Sequence, residues 1–435
     1  MKFLLFMVFS FGLMNFSFGN LYMICFLLMF FLILNVNLIF NFWVEIYSIF
    51  SIDFYSFYLI LLSIWLIGIM LMIKMDKMMI ILIMCLLVIL FLSFSVFNFL
   101  LFYFLFEVSL IPIFLMIMFD GYTFERIEAV MYMFFFTLIS SMPFLIILLD
   151  FYQFFNTLMF YMLEYLKFKM WKVSFIIMML VFFVKLPLFI FHIWLPKAHV
   201  EAPVYGSMIL AGVLLKLGGY GMLRMVQFFY LNLMEIMMYY ISIGLISGVV
   251  LSFLCMIQID MKMLVAYSSV VHMSMLVASL STMSKIGFVG SYLMMIGHGL
   301  CSSGLFYLVN LSYKRIGSRL MFMNKGLMNL NSTLGMWWFL MCMGNFSAPI
   351  SLSLLGEIFM LMSLVSLDLF LMIYLMIMCF LSVAYSLYLF SFTQHGNMNF
   401  MNFSFLSISV KEFIIIFIHW FPLNTLIFGM NLFMI

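Results

Sequence analysis

A chain of 435 residues that is 69% hydrophobic and only 8% charged, with mean hydropathy +1.32, carries too little charge to cover a water-soluble domain. Hydrocarbon admits only helices or a closed barrel as spans, and the long apolar runs 91–118, 172–194 and 237–257 exclude a barrel of short alternating strands. The net charge of +3 is spread thinly, with no basic run to hold nucleic acid.

At roughly 20 residues per span, the sequence predicts an all-α integral membrane protein of about 14 transmembrane helices. They fall at 3–18, 21–40, 54–73, 78–95, 97–118, 127–150, 173–194, 204–228, 235–257, 262–281, 286–311, 333–358, 369–392 and 411–433. Met1-Lys2-Phe3-Leu4 is not the start of an Arg/Ser-rich transit peptide, and no small-residue cleavage site precedes Asn20, so it reads as a first span. With 14 spans both termini share a side. The opposite side then carries ten Lys and Arg, Lys262 among them. The terminal side carries six, including Arg224, which places both termini outside.

Pro187 interrupts the seventh span and Pro349 the twelfth, because proline lacks the N–H that a helical ladder needs. Breaks at matching places in two halves mark an inverted-repeat transporter. The expected organisation is helices 1–3 over 1–77, a first repeat of helices 4–8 over 78–228, a second, inverted repeat of helices 9–13 over 229–392, and helix 14 over 393–435.

Cys25, Cys85, Cys255, Cys301, Cys342 and Cys379 stand alone with no CxxC pair, so they read as small packing residues and not as iron–sulfur or zinc ligands. The 59 Phe and 50 Met, with much Ile, Leu, Asn and Tyr, point to an A+T-rich organellar gene.

Intramembrane charge is the main functional signal. Each such group costs roughly 2.5–3.5 kcal/mol at mid-bilayer, and this chain places Glu107, Lys185, Lys216 and Glu357 in four separate spans. Burial disfavours a charged form and an opposite charge restores it. A Glu107–Lys185 pair that breaks and re-forms therefore takes up and releases a proton, with Lys216 as the next station and Glu357 as the exit. The plainer reading is a set of static ion pairs pinning helices together. Histidines add relay capacity, since imidazole titrates near neutral pH. His192, seven residues after Lys185, falls on nearly the same helical face. His272 lies in the tenth span, and His298 between two glycines in the eleventh. Hydrogen-bonded packing is the alternative for each. His199, beside Lys197 and Glu201, reads as a loop residue, and His395 and His419 as peripheral. Gly219-Tyr220-Gly221 and Gly297-His298-Gly299 lack the preceding strand and third glycine of a dinucleotide site, and suit close helix packing. A histidine pair is able to ligate haem, but lysines among the spans argue for ions.

The run from Lys185-Leu186-Pro187 through His192-Ile193-Trp194-Leu195-Pro196-Lys197-Ala198-His199-Val200-Glu201-Ala202-Pro203 closely resembles the signature of the subunit 4 family of mitochondrial NADH:ubiquinone oxidoreductase, respiratory complex I. So do Leu214-Leu215-Lys216-Leu217-Gly218-Gly219-Tyr220-Gly221, Ala266-Tyr267-Ser268-Ser269-Val270-Val271-His272-Met273, Phe106-Glu107-Val108-Ser109-Leu110-Ile111-Pro112 and Gly297-His298-Gly299-Leu300-Cys301-Ser302-Ser303. The resemblance runs over nearly the whole chain and implies an antiporter-like fold of 14 spans with two inverted five-helix repeats. Carried over, Glu107 and Lys185 match the family's fifth- and seventh-span pair, Lys216 its central lysine and Glu357 its twelfth-span acid. His192, His272 and His298 match its polar axis. The family usually has two adjacent prolines and an asparagine ahead of the twelfth-span acid. Here Ile350 follows Pro349 and Ser353 replaces the asparagine, and the loop Gly121–Arg126 lacks a polar residue often found before its glutamate.

The resemblance implies proton translocation in the membrane arm, in the mitochondrial inner membrane. No cofactor would belong to this chain; NADH, FMN, iron–sulfur clusters and ubiquinone would belong to the rest of the complex. Its partners would be other complex I subunits, neighbouring antiporter-like subunits above all, and membrane lipids, with no nucleic acid. A stand-alone cation/proton antiporter would need a site rich in oxygen ligands, and only scattered acids are present. A purely structural subunit with locked charges is the other rival.

Overall fold

The computed structural model describes residues 19–35, 44–47, 50–73, 75–121, 123–166, 171–397 and 408–433. The expected first span, with Lys2, and the loop lysines Lys74, Lys167 and Lys169 fall outside them.

Among the described residues the regular elements are helices, apart from one antiparallel hairpin, β1 (Val44–Tyr47) with β2 (Phe50–Ile52), an addition to the all-helical expectation. The helices are α1 (Gly19–Asn35), α2 (Phe54–Leu71), α3 (Lys77–Ser95), α4 (Phe99–Asp120), α5 (Arg126–Phe155), α6 (Lys172–Lys185), α7 (Trp194–Glu201) and α8 (Val204–Phe228). Then come α9 (Tyr230–Ile257), α10 (Met261–Ser281), α11 (Lys285–Ile316), α12 (Ser332–Asn345), α13 (Leu352–Val365), α14 (Leu371–Gln394) and α15 (Val410–Thr425). Among the described residues ten helices are long and apolar enough to cross a membrane; α1 and α13 carry shorter apolar stretches. The chain is a multi-pass, all-helical membrane protein.

Local sequence explains the ends. Asp53 caps α2 in a reciprocal box with Ser56. Asn98 caps α4 through the Leu100 N–H. α11 stops at Gly317, whose φ of 79° suits glycine. α4 is interrupted at Ser109, because Pro112 cannot donate to the Val108 carbonyl.

The expected seventh and twelfth spans are each two pieces. α6 ends at Lys185 and helix resumes only at the 3-10 turn Phe191–Ile193; α12 ends at Asn345 and α13 begins at Leu352. Pro187 and Pro349 remove the N–H groups that would continue each ladder. Ile190 (φ 83°) and Ile350 (φ 68°) then adopt a left-handed conformation that a β-branched residue enters only under strain.

The chain forms two compact units. The first holds the residues up to Lys185 together with Glu201–Met234. The second holds Leu186–Val200 and the chain from Glu235 on. The break after Lys185 is therefore where the chain passes from one unit to the other. Within the second unit, Val200 O accepts from Arg319 Nη1 at 2.5 Å and Lys262 Nζ at 3.4 Å, and the His199 ring stacks on Phe306 at 4.5 Å. The expectation of a loop histidine at 199 is corrected by this stacking: His199 is fully buried, in α7. α11 packs tightly on α13. A side chain at Gly290 would meet Met360 N at 2.8 Å, and one at Gly356 would meet Met294 N at 2.9 Å.

Candidate functional site

In the first unit, α4 and α6 bring Glu107 and Lys185 together. Lys185 is the last residue of α6, where the helix dipole favours a cation. It is buried. Its Nζ lies 4.0 Å from Glu107 Oε1, donates to the Phe106 carbonyl at 3.3 Å, and sits 3.9 Å from the Phe106 ring centroid. The pair is thus adjacent but open. No hydrogen bond joins the two charges, and Glu107 Oε1 has no hydrogen-bond donor.

Lys216 is fully buried in α8. A π-helical turn, Leu210–Leu214, ends two residues before it, and its Nζ donates to the Ala211 carbonyl of that turn at 2.6 Å. Such bulges widen the ladder and recur at functional sites.

In the second unit, α10, α11 and α13 assemble the other group. His272 Nδ1 is 3.5 Å from Glu357 Oε1, and the His272 and His298 rings are 5.6 Å apart, centre to centre. The close α11–α13 contact makes this possible, since Glu357 follows Gly356 directly. Ser347, inside the helix break with φ 53°, donates its hydroxyl to Glu357 Oε2. The carboxylate is therefore held on one oxygen by Ser347 and faces imidazole with the other. Ser353, standing where the family expects asparagine, donates to the Gly344 carbonyl at 2.8 Å, and Ser351 to that of Ala348 at 2.6 Å. The serines satisfy carbonyls that the break leaves open.

His192 is not on the helical face of Lys185, as its spacing suggested. The helix has ended, and His192 lies in the 3-10 turn within the second unit, stacked on Phe189 and facing the Tyr267 ring at 6.0 Å. His419 is not peripheral either: it is fully buried, with Nδ1 2.8 Å from the Ile415 carbonyl.

Sequence reasoning missed two features. Ser347 gives no signal, because one serine two residues before a proline is common in loops. Arg224, which the sequence assigns only to the charges of the terminal side, is buried in α8 and ion-paired with Asp53, the cap of α2. Its spacing of four residues from Tyr220, itself four from Lys216, was the available clue. Among the described residues, no three or more His, Cys, Asp or Glu side chains assemble as a metal cluster.

Residues 96–383 match the family described as "NADH:quinone oxidoreductase/Mrp antiporter, TM". The chain is 48% identical over 330 residues to NADH-ubiquinone oxidoreductase chain 4 of Ceratitis capitata, covering 76% of this chain and 74% of that one. It is 48% identical over 329 residues to the same protein of Aedes aegypti, with 76% and 74% covered. Among solved structures, it superposes on a chain of respiratory complex I from Thermus thermophilus with bound NADH at TM-score 0.88 and 19% identity, covering 99% and 97%. A chain of the archaeal membrane-bound sulfane sulfur reductase gives TM-score 0.87 at 16% identity, covering 97% and 74%. At these identities the two structures establish the shared fold alone.

Proposed function

The chain belongs to the NADH-ubiquinone oxidoreductase chain 4 family, and from that premise we propose that its buried charges move protons in two stages, one in each unit. It is an antiporter-like membrane-arm subunit of complex I, a part of the NADH:ubiquinone oxidoreductase, acting in proton translocation. In the first stage Glu107 and Lys185 exchange charge, and Lys216 is the next station. In the second, His298 and His272 relay the proton to Glu357, the exit. His192, at the break, is a further relay.

The observation that carries this reading is the open Glu107–Lys185 pair. Leaving one member of a tight buried pair without its partner costs about 3–5 kcal/mol, more than the roughly 2.3 kcal/mol for moving one charge against 100 mV. A closed pair would hold its proton through the cycle. At 4.0 Å, with its ammonium shared between a carbonyl and a ring face, Lys185 is poised to cycle.

The finer architecture follows the same reading: 14 spans, with two inverted five-helix repeats over 78–228 and 229–392, flanked by 1–77 and 393–435. The matched breaks support it, since Ile190 follows the helix end at Lys185 by five residues as Ile350 follows the end at Asn345. The setting is the mitochondrial inner membrane, with both termini on the intermembrane-space side, as the ten-to-six charge asymmetry suggests. Neighbouring antiporter-like subunits and lipids surround the chain. NADH oxidation by FMN, the iron–sulfur clusters and ubiquinone reduction belong to other subunits.

The test is proton pumping per NADH oxidised in the assembled complex carrying Lys185→Ala. Loss of pumping and turnover with intact assembly is expected. Assembly with normal pumping would make the charges a scaffold and remove the support for Glu107, Lys216 and Glu357.

A further inference from the structure

Lys216, Tyr220 and Arg224 recur at four-residue spacing along α8, and all three are buried. Arg224 Nη2 donates to the Tyr220 hydroxyl at 3.2 Å and to Asp53 Oδ2, and the guanidinium lies 4.8 Å from the Tyr220 ring centroid. Asp53 serves two partners. Its Oδ1 accepts the Ser56 N–H at 2.9 Å and caps α2, while Oδ2 meets the arginine. The two-stage proton path uses Lys216 but not Tyr220, Arg224 or Asp53.

The helix is regular from Leu215 to Phe228, so Arg224 lies eight residues, about 12 Å, along the axis from Lys216. At an effective dielectric of about 20, a unit charge at that distance acts on another with the weight of about one pH unit. Arg224 without a counter-charge would therefore oppose protonation of Lys216.

We propose that Asp53 is a positioning residue for Lys216: by neutralising Arg224 it keeps a standing positive charge off the helix of Lys216, which is then able to take up its proton. The inference rests on Lys216 being a proton station. Other charged groups on elements packed against α8 are Lys172 and Lys185 on α6, Glu107 and Asp120 on α4, Lys77 on α3, and Glu164 on the short helix Phe160–Leu166. Tyr55 and Tyr58 on α2, Tyr103 on α4, Tyr161 and Tyr165 on the short helix and Cys85 on α3 are the neutral titratable groups there. All stay unchanged in the variants below, so they set the baseline and not the shift.

The experiment is the pH dependence of NADH-driven pumping in the assembled complex with Asp53→Asn, Arg224→Gln, both together, and Lys216→Ala. Asparagine caps a helix as well as aspartate, so Asp53→Asn removes the charge and keeps the cap. The alkaline limb is expected to move about one unit to lower pH in Asp53→Asn, where the arginine loses the Asp53 carboxylate. It moves to higher pH in Arg224→Gln, where the carboxylate is left, and returns to the native position in the double variant. Should Arg224→Gln fail to assemble, Asp53→Asn against the double variant carries the same decision. Profiles that fall in height without moving, or that move together, overturn the inference and leave the pair a clasp between α2 and α8. Lys216→Ala separates the two readings. Native pumping in it removes Lys216 as a station. Lost pumping in it, with unmoved Asp53→Asn and Arg224→Gln profiles, removes only the role of Asp53.

Discussion

The two helix breaks share a backbone form and differ in how they treat charge. At the first, Lys185 closes α6 and faces Glu107 across 4.0 Å with no hydrogen bond between them. At the second, Asn345 closes α12, and the break itself supplies Ser347, whose hydroxyl grips Glu357. Position 187, two residues past the first helix end, is proline and has no donor; position 347, two past the second, is serine and has one. The same break thus leaves one ion pair loose and holds one carboxylate firmly. A loose pair suits rapid exchange of charge, and a held carboxylate suits a step that must wait.

Substitutions at the charges break this comparison most severely. Glu357→Gln is expected to lower NADH-driven pumping about 100-fold, the scale of losing one acid–base group, with assembly followed in native gels. Lys185→Arg keeps a cation opposite Glu107 but cannot release its proton. Pumping should fall by a similar factor in vesicles while the complex assembles, whereas native pumping would show that charge alone matters there. Ser347→Ala removes one hydrogen bond to a charged acceptor, worth about 1.5–3 kcal/mol. Pumping should drop roughly tenfold, and an unchanged rate would mean that the Glu357 clasp is not used. Gly356→Ala drives a methyl group into the α11 backbone. A loss of about 1–3 kcal/mol is expected, read as a lower temperature for release of the subunit from the complex. The smallest effect is at the strained turns. Ile190 and Ile350 are exposed, so glycine there relieves φ at little packing loss. A gain of up to about 1 kcal/mol should remain after the added chain entropy, visible as a slightly higher thermal midpoint in detergent.

Much of this protein is legible in its sequence. An apolar run long enough to cross hydrocarbon has no alternative to helix, so the ten long helices follow from composition and length. A lone charge in such a run must find a partner, so Glu107 and Lys185 announced each other. Proline placement announced both breaks, because a missing N–H is a local fact. Other features depended on distant contacts. Spacing placed His192 with Lys185, but the break hands it to the other unit. Polar neighbours suggested a solvated His199, but tertiary packing stacks it on Phe306. Arg224 lies near the end of a predicted span, and only the fold brings Asp53 to it across 171 residues of chain.

The sequence by itself determined the solvent, the helical class, the places where helices fail and the charges that need an explanation, because each rests on what a short stretch of chain can satisfy alone. Tertiary structure alone decided which charges are gripped and which are left apart: the open Glu107–Lys185 pair, the Ser347 clasp on Glu357, the His272–His298 neighbours and the Asp53–Arg224 pair. Each is set by ångström-scale helix packing, such as that of Gly290 and Gly356 between α11 and α13, and no local pattern encodes a distance between helices.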